Sequence, residues 1–430
     1  MRYEPFDVRM FQTNRDRLRA QLLPASLAIV NANDWQPTTT DGTMPYYPNS
    51  DLFYLAGVEQ EESILFIAPE AHDETLREVL FLREPNELLK TWEGHKLSQD
   101  EGRATSGIKT VKWLSEFPRV WRQLMCEVDN VYLNANEHYR ATIEVPTRDD
   151  RFIHACLDQY PLHRYYRLGR IMQQLRGVKT QWELDVMRKA VAITEAGFRR
   201  VMKFVRPGVS ETEVEAEFAH EFTKQRGKFA FNPIIASGAN ACVLHYLAND
   251  QVCKDGELLL LDVAAAYGNY NADITRTIPV NGKFTARQRQ VYDAVLRVLR
   301  GSIARASVGK LHRDWQREAQ QQMNQELLQL GLITQEDIDK QTIEEPACKK
   351  YFMHGLGHSL GLGVHDYGVT QRPLEAGWVL TVEPGIYIPE EGLAVRLEND
   401  ILLTDSGPVD LSAEIPIEAK DVEDVMRSNK

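Results

Sequence analysis

Two stretches of this chain pose the same energetic problem, and few folds solve it. Residues 257–262 read ELLLLD, an apolar run of strand length that ends in an acid. After 267–270 (YGNY), which read as a turn, the chain returns through 272–276 (ADITR), carrying Asp273. About a hundred residues later, 378–383 read WVLTVE, again an apolar strand closed by an acid. The chain then turns through Pro384 and Gly385 and returns as 395–399 (VRLEN). Each segment reads as strand, turn, strand, with one carboxylate on each arm. An unpaired carboxylate on a buried strand costs on the order of several kcal/mol. The nearest basic residues are single arginines, Arg276 and Arg396. Asp262, Asp273, Glu383 and Glu398 therefore point to divalent cations, with the plainer alternative that the acids cap turns and face solvent.

Between the two segments lies MHGLGHSLGLGVHD, residues 353–366, in which His354, His358 and His365 are interleaved with glycines. Histidine is the commonest metal ligand and titrates near neutral pH, and glycine lets a backbone approach a ligand closely. The His354/His358 spacing would suit one face of a helix, but the glycines argue for loop and short strand. Acids plus imidazole suit manganese, zinc, iron or cobalt.

The remainder of the chain frames this constellation. Val8–Leu23 has helical spacing, 26–30 (SLAIV), 63–68 and 78–82 read as strands, and Tyr46–Gly57 (YYPNSDLFYLAG) as a loop leading into a strand. Thr91–Gly94 (TWEG) reads as a turn holding a packed Trp92. The alternation predicts an N-terminal α/β domain over 1–170 and an α+β domain over 171–430, the boundary lying in the basic stretch 164–178. Capping boxes at Thr180/Glu183, Ser210/Glu213 and Thr285/Gln288 predict three helices in the second domain, the first running to about Val205. With 50 basic against 62 acidic side chains, a net charge of −12, the chain is a poor partner for nucleic acid or an anionic membrane. No apolar run approaches the roughly 18 residues of a membrane span. The charged N-terminus and five unpatterned cysteines suggest a cytoplasmic protein.

Asp262, Asp273, His358, Glu383 and Glu398, in the order Asp-x10-Asp, HGxGHxxG, TVEPG and RxEN, resemble the five-ligand site of the pita-bread dimetal metallopeptidases. YYPNSDLFYLAG, TWEG and His245 in ASGANACVLHY extend the likeness to the aminopeptidase P family over nearly the whole length. Methionine aminopeptidases lack such an N-terminal domain, and creatinase works without metal. Asn399, where aspartate is common, and His95, where arginine is common, depart from the pattern at non-ligand positions. The resemblance implies a C-terminal pita-bread domain and two divalent ions, manganese first, with cobalt or zinc as alternatives. Asp273 and Glu398 would bridge, Asp262 would complete one metal, and His358 and Glu383 the other. A metal-bridging hydroxide would attack the first peptide bond of a substrate with proline second. Glu383 would shuttle the proton, and His365 would stabilise the oxyanion. His245 and His354 would position substrate, and Arg396 and Tyr387 would hold groups beyond the proline. It further implies a homodimer or homotetramer, with Trp92 reaching a neighbouring copy's site. Xaa-Pro dipeptidase activity and a catalytically inactive binding protein are the alternatives.

Overall fold

In the computed structural model, which describes residues 3–138, 141, 144–368 and 372–428, Pro5–Arg176 forms one compact unit. Gly177–Lys430, with Met1–Glu4, forms the other. No helix among the described residues is long and apolar enough to cross a membrane.

The N-terminal unit is built on one six-stranded sheet. Its strands are β1 (Ser26–Asn31), β2 (Ile64–Ile67), β3 (Glu78–Leu82), β4 (Thr110–Trp113), β5 (Asn130–Leu133) and β6 (Arg164–Arg167), in the order β4-β3-β2-β1-β5-β6. The central pairs β1/β2 and β2/β3 are antiparallel, while β3/β4, β1/β5 and β5/β6 are parallel. β1 is buried along its whole length, as a strand covered on both faces must be. Phe66 and Phe81 meet edge to face and pack with Phe117 in the core of this unit.

Two local expectations fail here. Tyr46–Gly57 does not lead into a strand but forms a helix over Ser50–Ala56. The Asn49 side chain accepts from the amides of Asp51 and Leu52, and Gly57, at φ 66°, stops the helix in the left-handed region. The caps outweigh the aromatic content that suggested β structure. Likewise, TWEG is not a free turn but the end of a helix, Glu87–Glu93, capped by Asn86. Trp92 is 80% exposed rather than packed.

In the C-terminal unit the three capping boxes form as the side-chain spacing requires, opening helices Gln181–Phe204, Glu211–Lys224 and Ala286–Arg305. The strands are β7 (Lys228–Phe229), β8 (Ile234–Ser237), β9 (Leu258–Asp262), β10 (Ala265–Tyr267), β11 (Tyr270–Asn271) and β12 (Thr275–Pro279). After the helical segment come β13 (Val379–Val382), β14 (Gly385–Ile388), β15 (Leu393–Arg396), β16 (Asn399–Thr404) and β17 (Gly407–Asp410). β9 pairs antiparallel with both β8 and β12, and β13 with β16.

The two acid-bearing segments are more elaborate than simple hairpins. In the first, the outer pair β9/β12 encloses an inner hairpin, β10/β11. In the second, the outer pair β13/β16 encloses β14/β15. The acids stand at the junctions: Asp262 ends β9, Asp273 lies between β11 and β12, Glu383 between β13 and β14, and Glu398 between β15 and β16. Leu258–Leu261 are buried, and each contributes about 1.5–3 kcal/mol by leaving water, so the strand anchors its terminal acid firmly.

Candidate metal centre and active-site cavity

The junction acids converge on the glycine-histidine stretch, which is loop throughout, tied to β13 by an isolated bridge between Ser359 and Leu380. Gly357 and Gly361 are steric requirements. A Cβ on Gly357 would lie 2.0 Å from the Thr381 carbonyl oxygen, so the loop runs directly against the strand that carries Glu383. The His358 and Thr381 backbones are hydrogen-bonded, and the His358 amide also donates to Thr381 Oγ1 at 3.0 Å.

Asp273, His358 and Glu398 each offer a ligand atom within 4.8 Å of the others. His358 Nε2 lies 3.5 Å from Asp273 Oδ2 and 3.6 Å from Glu383 Oε1. The other ring nitrogen, Nδ1, is 3.1 Å from the Ser359 carbonyl. A carbonyl only accepts, so in the neutral ring Nδ1 carries the hydrogen and the Nε2 lone pair faces the acids. Asp262 lines the same cavity as Asp273, His358, Glu383 and Glu398. Its Oδ2 accepts from Arg396 Nη2 at 2.7 Å, and its Oδ1 is buried with no hydrogen-bond partner among the described residues.

Electrostatics make this cluster unhappy without cations. Burial, reinforced by the charges of Asp262, Asp400 and Glu383, pushes Asp273 well above the carboxylate range. Burial and the charges of Asp273, Glu383 and Asp262 do the same to Glu398. Burial also raises Glu383, against the pull of His358 and Arg396. Crowded buried carboxylates, an outward-facing imidazole lone pair and an orphaned Asp262 oxygen together fit divalent metal ions.

A cavity of about 490 Å³ opens on the acids, lined also by His245, His354, His365, Arg396, Phe231 and Leu244. The His365 ring lies 4.2 Å from that of His358, centroid to centroid. His354 Nε2 is 2.8 Å from the Tyr387 hydroxyl, and Arg396 Nη1 donates to that same hydroxyl at 2.8 Å. Arginine cannot accept, so Tyr387 donates to His354 Nε2, and His354 Nδ1 carries the ring hydrogen towards the Gly355 carbonyl and Glu383. Burial and the Arg396 charge push His354 down to about 4, which keeps it neutral.

Tyr387 is wholly buried, with its hydroxyl held between His354 and Arg396. Arg396 lines the cavity, with Nη2, Nη1 and Nε bound to Asp262, Tyr387 and Thr275. Trp92 belongs to the other unit, on its exposed helix.

Sequence reading missed several supports. Thr275 Oγ1 donates to Glu398 Oε2 at 2.6 Å, and buried Asp400 accepts the Asp273 amide at 3.1 Å through Oδ2. Arg276, fully buried, donates to the carbonyls of Thr275, Glu398 and Pro416, binding both hairpins and the chain's last segment together. Asp400 stands two residues beyond Glu398 on an apolar strand, a signal that could have found it.

A six-stranded α/β unit followed by a pita-bread unit with a carboxylate-histidine centre defines a two-domain metallopeptidase. Residues 185–405 match metallopeptidase family M24, and residues 11–132 match the aminopeptidase P N-terminal domain. Xaa-Pro aminopeptidase of Escherichia coli (strain K12) is 34% identical over 97% of both chains. The structure of zinc-substituted E. coli aminopeptidase P with product superposes with a TM-score of 0.87 at 32% identity, covering 99% of this chain and 100% of that one. The same enzyme with the inhibitor Pro-Leu gives a TM-score of 0.87 at 32% identity over 99% of each chain. The chain belongs to the aminopeptidase P group of metallopeptidase family M24.

Proposed function

We propose that this protein removes the N-terminal residue from peptides with proline in second position. The observation that carries the reading is the convergence of Asp273, His358 and Glu398 within 4.8 Å, at the floor of a cavity shared with Asp262 and Glu383. Asp262, Asp273, His358, Glu383 and Glu398 would hold two divalent ions, whose chemistry is to polarise the scissile carbonyl and lower the pKa of a water. Manganese is the metal proposed, on an oxygen-rich donor set with a single imidazole.

The protein's own groups account for the rest. A peptide bond before proline has no N–H, so its leaving nitrogen must receive a proton from the enzyme. Glu383, which lines the cavity beside His358, would take a proton from the attacking water and hand it to that nitrogen. His354 Nδ1 lies 3.8 Å from Glu383 Oε2 and steadies it, its tautomer fixed by Tyr387 and Arg396. His365 supplies a donor for the oxygen that becomes negative, and His245 lines the substrate path.

Cleavage beyond dipeptides is supported by the Pro-Leu-bound relative, whose inhibitor carries a residue after the proline. Five free cysteines support a cytoplasmic setting. Leu88 and Trp92, 68% and 80% exposed and four residues apart on one helix, support a homo-oligomer in which Trp92 reaches a second copy. The test compares a Xaa-Pro dipeptide, a Xaa-Pro-Yaa tripeptide and a tripeptide without proline, on metal-stripped protein reconstituted with Mn2+. Release of only the first residue from the proline tripeptide is expected. Cleavage confined to the dipeptide would make the protein a dipeptidase, and no cleavage with any metal would end the enzyme reading.

A further inference from the structure

Beneath the loop that carries His358 and His365 lies an ion pair with no part in the chemistry described so far. Lys179 Nζ lies 3.6 Å from Asp366 Oδ2, and the two side chains are 1% and 2% exposed. Two charges so deeply buried are a poor source of stability, because the desolvation of each ion roughly cancels their attraction, and a well-packed apolar pair serves as well or better. What such a pair fixes is position.

Both ends are rooted. Lys179 immediately precedes the Thr180 cap of the helix Gln181–Phe204, and its amide donates to the Gly377 carbonyl at 2.9 Å. The Asp366 amide donates to the Ser359 carbonyl at 2.8 Å, which closes the loop so that His358 and His365 lie ring against ring. Between them the pair packs on bare backbone. A Cβ on Gly361 would lie 2.2 Å from Asp366 Oδ2 and 3.0 Å from Lys179 Cε. The Gly361 carbonyl, in turn, accepts from the Asn271 amide at 2.9 Å and from Asn271 Nδ2 at 3.0 Å, two residues ahead of Asp273.

We propose that Lys179, through Asp366, is a positioning residue for His365. It fixes the residue next to the histidine and thereby the aim of the imidazole into the cavity. The inference rests on the aminopeptidase reading, and it assigns a role in the reaction to a residue outside the cavity.

The test is a double-mutant cycle on the full-length protein with bound metal, read on a Xaa-Pro-Yaa tripeptide. Lys179→Met removes the charge and keeps the length. It is expected to lower kcat by up to about 10²-fold, the scale of an ångström-sized misplacement, with KM changed far less and metal content unaltered. In a His365→Ala background the same substitution is expected to cost almost nothing more, because its effect passes through His365. Asp366→Asn, which preserves shape, provides the second arm and the same expected pattern. Losses that multiply in the double variants, or wild-type kcat in Lys179→Met, would overturn the assignment. So would failure of both single variants to fold with metal bound, which would make the pair a determinant of stability instead. Wild-type protein that cleaves no peptide would remove the aminopeptidase reading itself, and the inference with it.

Discussion

Replacing Glu398 with glutamine should make the metal-free protein more stable and the metal-loaded protein less so. Glu398 is 2% exposed, and burial together with Asp273, Glu383 and Asp262 holds its carboxyl well above the ordinary range. A group whose folded pKa exceeds its unfolded one binds more protons in the native state. Stability is therefore greatest below the unfolded value and is lost as pH rises towards the folded one. Glutamine keeps the acceptor for Thr275 Oγ1 and removes the charge, so that loss should shrink. Relief of one charge in a crowded buried cluster is worth on the order of 1–3 kcal/mol. For a unit of this size, about 2–4 °C per kcal/mol gives a rise of roughly 2–12 °C in the Tm of the C-terminal unit at pH 8. Metal reverses the order. At a hundred times Kd the wild-type protein gains about 2.7 kcal/mol, whereas the variant, lacking that carboxylate, is expected to gain far less. Thermal melts of EDTA-stripped and Mn2+-loaded protein between pH 5 and 8 measure both effects. A variant less stable than wild type without metal, or one stabilised equally by it, would refute the electrostatic account.

Other perturbations probe the frame. Gly357→Ala should abolish activity and metal binding, since its Cβ must displace the Thr381 backbone; peptide hydrolysis with metal analysis checks this. Leu260→Ala, on the strand leading to Asp262 and 1% exposed, should cost about 2–5 kcal/mol, measured by denaturant unfolding. Trp92→Ala should leave unfolding free energy within about 0.5 kcal/mol, its ring being 80% exposed, yet lower the assembly state and the turnover, read by light scattering and peptide assay.

How much of this was legible in the sequence divides along physical lines. The caps at Thr180, Ser210 and Thr285 could be read because each is a contract between two side chains three residues apart. The junction acids could be read because an acid at the end of a leucine run has few destinations. The helix at Ser50–Ala56 was missed because its aromatic residues suggested a strand, although Asn49 and Gly57 bracket it as caps. The hydrogen bonds of Arg396 to Asp262, Tyr387 and Thr275 were not legible, because sequence names the chemistry of a side chain and not its partners. Lys179 and Asp366, 187 positions apart, were invisible, because each is unremarkable until the fold brings them together.

Arg276 sets a clock on the enzyme. Its guanidinium reaches the carbonyls of Thr275, Glu398 and Pro416, so it gathers both acid-bearing hairpins and the end of the chain at one point. During synthesis Asp262 and Asp273 leave the ribosome more than a hundred residues before Glu383 and Glu398, and at about 5–20 residues per second that interval lasts many seconds. Arg276 can complete its set of bonds only once residues 415–416 have been made. The four junction acids can therefore converge only after the second hairpin has been synthesised.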